Sequence, residues 1–144
     1  MPIDTQHIFY KVEMAITQLI AAEADQLFRG AKIAKGTENA ALTVPYCTVI
    51  YEGAKTDPEI ENYRGEARII ICTSSNDETG SDHSDRCRSV QNIMATDDIA
   101  SRLSDLVEGF TVIYCKDKSF ANILEGSHWR FELVLDLYCA DADL

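Results

Sequence analysis

The sequence contains no C-x-x-C pair, no two histidines at metal-ligand spacing, and no apolar run near the ~20 residues a membrane helix requires. These absences exclude a zinc knuckle and a helical membrane span. The most continuous apolar run, Ile69-Ile70-Ile71-Cys72, suits a buried strand. The N-terminal Met1-Pro2-Ile3-Asp4-Thr5 lacks a basic flank followed by an apolar stretch, so a secretory signal is not expected and synthesis in the cytoplasm is. Basic residues are scarce: 13 Lys and Arg face 24 Asp and Glu, a net charge of −11, which argues against an unaided grip on nucleic acid. The one basic cluster, Arg29, Lys32 and Lys35, follows a helix and reads as a solvated C-terminal turn favoured by the helix dipole.

Catalytic signatures are missing as well. The chain has no G-x-G-x-x-G, no G-x-x-x-x-G-K-[ST] and no G-x-S-x-G, so neither a phosphate cradle nor a nucleophile elbow is expected. His7, His83 and His128 fall in different elements and read as ordinary surface or cap histidines. Adjacent acids such as Asp97 and Asp98 precede an apolar helix face, where they favour its N-terminus rather than serve as acid and base. The five cysteines, Cys47, Cys72, Cys87, Cys115 and Cys139, are odd in number and sit in apolar segments, which predicts reduced core thiols. The polar stretch 75–85 alternates oxygen ligands, but Arg86 stands where an EF-hand needs a bidentate carboxylate. A looser cation site from Asp77, Glu78, Asp82 and Asp85 is the remaining reading beside a plain solvated loop. No cofactor and no enzymatic activity are expected.

What is present is ordinary globular composition, 46% hydrophobic and 26% charged over 144 residues, enough for one domain spanning 1–144 with a conventional core. Ile8, Phe9, Val12, Ile16, Leu19, Ile20, Ala24 and Leu27 recur at the spacing of one helix face, predicting a helix from Asp4 to Phe28 with Gly30 as its stop and Asp4 or Thr5 as its cap. A connector follows to Ala41, with room for a short strand near Ala31 to Ala34. Leu42 to Glu52 and Arg64 to Thr73 read as strands, the first weakened at Pro45, joined by a loop across Gly53 to Tyr63. His83 to Ala95 and Ile99 to Val107 form two helices or one broken helix, interrupted by Thr96-Asp97-Asp98 and stopped at Gly109. Phe110 to Cys115 reads as a third strand, Asp117 to Ser127 as a loop, and Trp129 to Cys139 as a fourth strand of strict alternation.

The expected fold is therefore α+β, in the order α-β-β-α-β-β. A long N-terminal helix and a broken central helix cover one face of a mostly antiparallel four-stranded sheet. Phe131, Leu133 and Leu135 should be buried against Val12, Ile16 and Leu19. The other face of the last strand should meet water or a partner.

This layout, together with Asp97-Asp98-Ile99-Ala100-Ser101-Arg102-Leu103, Phe110-Thr111-Val112 and Glu125-Gly126-Ser127-His128-Trp129-Arg130-Phe131-Glu132-Leu133, resembles the tail-terminator and tail-completion proteins of bacteriophages, from about Ile8 to Cys139. The resemblance implies a structural virion protein that forms a ring, usually a hexamer, at the head-proximal end of the tail. There it ends tube polymerisation and provides the head-tail joining surface, so its partners would be further copies of itself, the tail tube protein and the head-tail connector protein. DNA would pass through an acidic channel without specific binding, because carboxylates repel phosphate. A neck protein, the adaptor or stopper between portal and tail, shares this size and shape. The reading of a different class is a small-ligand-binding α+β domain or enzyme, which needs a pocket that the sequence does not locate. In the ring reading, Ile60 in the first loop and Phe120, Ile123 and Leu124 in the second are the candidate subunit-interface residues. Such apolar groups together are costly on a free surface.

Overall fold

The computed structural model describes residues 7–24, 32–35, 46–57, 59–74 and 81–141; at 32–35, 57, 60, 81 and 82 it describes the backbone alone. The elements are α1 (Ile8–Ala24), β1 (Lys32–Lys35), β2 (Tyr46–Asp57), β3 (Ile60–Ser74), α2 (Ser81–Met94), α3 (Ile99–Ser104), β4 (Thr111–Glu125) and β5 (His128–Ala140). Setting the short β1 aside, their order is the expected α-β-β-α-β-β. The expected features at Asp4, Thr5, Arg29, Gly30, Ala31 and Pro45 lie outside the described residues.

The strands form one sheet in the order β1-β2-β3-β5-β4. β2 with β3, β3 with β5, and β5 with β4 pair antiparallel, and β1 adds a short parallel ladder to β2 from Lys32↔Tyr46 to Lys35↔Val49. Alternation decides which face is buried. Cys47, Val49 and Tyr51 on β2, Ala67, Ile69 and Ile71 on β3, and Phe131, Leu133, Leu135, Leu137 and Cys139 on β5 all point to the helix-bearing side. There they join Ile8, Val12, Ala15, Ile16, Leu19 and Ile20 of α1, Val90 and Met94 of α2, and Ile99 and Leu103 of α3 in a single core.

The break between α2 and α3 has a local cause. Thr96 turns its hydroxyl back to donate to the Ile93 carbonyl at 3.1 Å, and the Ile99 N–H bonds to the Thr96 carbonyl at 3.2 Å, so the chain makes a tight turn instead of continuing. Asp98 stands at the start of α3 without a side-chain cap bond, so the expected capping by Thr96-Asp97-Asp98 comes from the turn rather than from a carboxylate. Gly109 takes φ 69° and redirects the chain into β4, a conformation that glycine adopts without steric cost.

Two expected loops are strand instead. The stretch from Gly53 to Tyr63 belongs to a hairpin in which β2 reaches Asp57 and β3 starts at Ile60. Gly53 pairs with Gly65, and the Tyr51 ring lies where a side chain on Gly53 would go. Asp117 to Glu125 continues β4, in register with β5 as far as Glu125↔His128, and Gly126 with φ 59° opens the two-residue turn into β5 as in a type II′ hairpin. Both stretches hide their strand character because most of their residues are exposed, which removes the apolar alternation that marks a half-buried strand.

Candidate interaction surface and the cleft beside it

The face of the sheet away from the helices is held by a network of ion pairs. Arg64 pairs with Asp136 through two guanidinium nitrogens at 2.9 and 3.4 Å. Arg68 bridges Glu132 at 2.8 Å and Glu66 at 3.2 Å, Lys118 reaches Glu66 at 2.6 Å, and Arg130 meets Glu132 at 3.3 Å. These contacts cross β3, β5 and β4, so they fix strand register on a wet face as apolar pairs do on the dry one. Each exposed pair contributes little by itself. The Lys118 ammonium holds the Glu66 carboxyl below the usual carboxylate range.

Lys11, buried on α1, donates to the Gly109 carbonyl at 3.1 Å and to Asp141 Oδ1 at 2.8 Å. One ammonium thereby ties the first helix to the turn before β4 and to the end of β5.

On the helix-bearing side, α2 leaves β4 uncovered, and a cleft of about 480 Å³ opens between them, lined by Cys87, Arg88 and Gln91 of α2 and by Asn122, Trp129 and Phe131 of the strands. His83 forms its base. This histidine is buried, with Thr73 Oγ1 at 2.8 Å from Nδ1, Asn122 Oδ1 at 2.8 Å from Nε2, and Trp129 stacked at 6.1 Å. The expected surface or cap role for His83 is thus overturned. Its neighbours Thr73 and Asn122 come from β3 and β4, distant in sequence, and together they satisfy a buried imidazole. His7 and His128 are exposed, as expected.

The cleft also brings Cys87 Sγ to 3.6 Å from His83 Nε2. The same ring nitrogen already has Asn122 Oδ1 at 2.8 Å as a partner. Burial pushes the Cys87 thiol up to about 12, far from the thiolate form at neutral pH. All five cysteines are free and buried, and burial also raises Cys47, Cys115 and Cys139 to about 12.

Of the expected interface residues, Phe120 is 65% exposed, Ile123 48% and Leu124 53%; Ile60 is described by its backbone alone, at the start of β3. They do not form one patch. Phe120 pairs with Leu133 and Leu124 with Trp129, on the helix-bearing side, whereas Ile123 pairs with Arg130 on the opposite face. Sequence reasoning missed Ile113, which is 43% exposed beside a register shift in β4. Its place in an otherwise apolar run gave no sign of exposure. Of the cation-site candidates, Asp77 and Glu78 lie outside the described residues, Asp82 is backbone only, and Asp85 is exposed on α2. No group of three or more His, Cys, Asp or Glu able to hold a metal is found among the described residues. No helix among them is long and apolar enough to cross a membrane.

The fold is thus a helix-covered, mostly antiparallel sheet whose exposed apolar side chains collect on an edge strand. No protein-family model matches the sequence, and no curated protein matches it. Among solved structures, the chain is similar to one in the virion of native gene transfer agent (GTA) particle, with a TM-score of 0.66 and 14% sequence identity. The match covers 89% of this chain and 93% of that one. At that identity the likeness is one of fold, and it extends over nearly the whole of both chains.

Proposed function

We propose that this chain is a structural virion protein of a phage-like particle, and that it forms a ring at the head-proximal end of the tail. In this reading it ends tail-tube polymerisation and provides the head-tail joining surface. The observation that carries the proposal is the near-complete likeness of fold to a chain of a virion, at a TM-score of 0.66. The net charge of −11 agrees with it, because a ring around the DNA path works best when it repels phosphate. The ring is a hexamer, its partners are the tail tube protein and the head-tail connector protein, and its role is mechanical rather than enzymatic. In the cleft, the high pKa of Cys87 and the bonding of His83 support a structural use of both groups.

A ring closed by head-to-tail contacts requires two different complementary patches on each subunit. The test is the molar mass of the purified protein in solution together with particle images. A ring with a central hole is expected, and a compact monomer at all concentrations would sink the proposal. Changing Phe120 and Leu124 together to Ser should dissolve the ring into folded monomers with an unaltered circular-dichroism spectrum, and tails made with this variant should fail to join heads.

A further inference from the structure

Among the described residues, the large apolar side chains left in solvent are Ile113, Phe120, Ile123 and Leu124, and every one of them stands on β4. Among the same residues β4 is also the end strand of the sheet, with no strand on its outer side. Elsewhere the protein supplies a missing acceptor itself. Glu13 accepts the Tyr51 N–H just past the end of the β1 ladder, and Ser104 Oγ accepts the Val112 N–H at 2.8 Å near the start of β4. An open edge with apolar side chains is a template for another strand.

The placement of the apolar groups says how a partner must approach. Phe120 and Leu124 lie on the helix-bearing face and Ile123 on the opposite one. A partner stacked on either face would leave the other group wet. Only a partner that meets the strand edge-on covers both. Charge indicates which partner. Lys116 and Lys118 offset Asp117 and Glu125 along this strand, so it forms a locally neutral seam on a chain of net charge −11. Two copies of so acidic a chain approach with least repulsion along such a seam.

We infer that β4 is a docking strand, in which the stretch from Ile113 to Glu125 pairs edge-on with a strand of a second copy of this chain. The added strand completes the open ladder, while its side chains cover Phe120 and Leu124 beside the cleft and Ile123 behind it. The inference rests on the ring reading for the identity of the neighbour, and on the geometry of β4 for the mode of contact.

Hydrogen exchange of the full chain, below and above the concentration at which it assembles, tests it. In the assembled protein, amides between Ile113 and Glu125 should exchange at least ~10-fold more slowly than in the monomer, since their outward N–H groups gain acceptors. Ile123→Asp, on the face away from the helices, should raise the assembly midpoint at least ~10-fold, with the circular-dichroism spectrum unchanged. Assembly with unchanged β4 exchange, or indifferent to Ile123→Asp, overturns the edge-on contact and leaves the ring reading standing. A monomer at every concentration overturns both. Protection of β4 that appears only after a purified tail tube protein is added overturns the second copy as occupant.

Discussion

The Glu13 carboxylate on α1 accepts the backbone N–H of Tyr51 on β2 at 3.1 Å, in the interior of the protein. The last β1–β2 pair is Lys35↔Val49, so the helix side chain takes over where the short strand ends. The contact closes part of one sheet edge and fixes α1 against β2.

Glu13→Ala should therefore destabilise the fold by about 1 to 3 kcal/mol, the usual cost of a buried donor left without an acceptor. Glu13→Gln keeps an acceptor oxygen and should lose less. Urea unfolding of the two variants beside the parent checks the ranking; equal losses would mean that the bond contributes nothing.

Leu135 is fully buried at the centre of β5. Leu135→Ala should cost ~2 to 5 kcal/mol through lost burial and the cavity it leaves. A loss under about 0.5 kcal/mol, the level of surface changes, would contradict the inward facing of this strand.

Gly53 and Gly65 face each other in the β2–β3 ladder, with the Tyr51 ring against Gly53. A methyl group on Gly65 would run into the Glu52 carbonyl of the paired strand, whereas one on Gly53 would meet the tip of the Tyr51 ring, a side chain rather than backbone. Gly65→Ala should thus destabilise by about 1 to 3 kcal/mol or more, and Gly53→Ala by less. Thermal unfolding of the pair decides it, and the reverse order would mean that the ring is the more rigid neighbour.

Glu61 receives hydrogen bonds from Lys55 at 2.6 Å and from the Tyr63 hydroxyl at 2.6 Å, and these hold its carboxyl below the ordinary value, the Lys55 bond most strongly. A carboxyl lowered on folding adds stability above its unfolded value, near 4.3, and that contribution is lost as pH falls through the lowered folded value. Lys55→Met should move the Glu61 titration, followed by carboxyl NMR, upward toward the ordinary value. The hydrogen bond that the Tyr63 phenol donates to Glu61 raises that phenol to about 12, so Glu61→Gln should bring the Tyr63 titration down. Unmoved titrations would show that the hairpin end is open in solution.

Much of the fold is legible in the sequence. Val12, Ile16 and Leu19 on one helix face and the alternation from Trp129 to Cys139 both report burial on one side, and burial is what periodicity records. The second half of β4 escaped for the same reason. Residues 116–125 are exposed on both faces, so nothing selects an apolar period there, and a strand with two wet faces reads as a loop. His83 escaped differently: its partners Thr73 and Asn122 arrive through strand pairing, and their positions in sequence carry no sign of the contact.

The sequence by itself determined the class α+β, the order of elements, the dry side of β5, the reduced cysteines and the acidic balance, because each follows from local pattern or composition. Tertiary structure alone decided the rest. The order β1-β2-β3-β5-β4 makes β4 an edge, and the β4–β5 register sends Phe120 and Leu124 to one face and Ile123 to the other. Edge and face are set by hydrogen-bonded pairing between distant segments, a long-range property that no window of sequence contains.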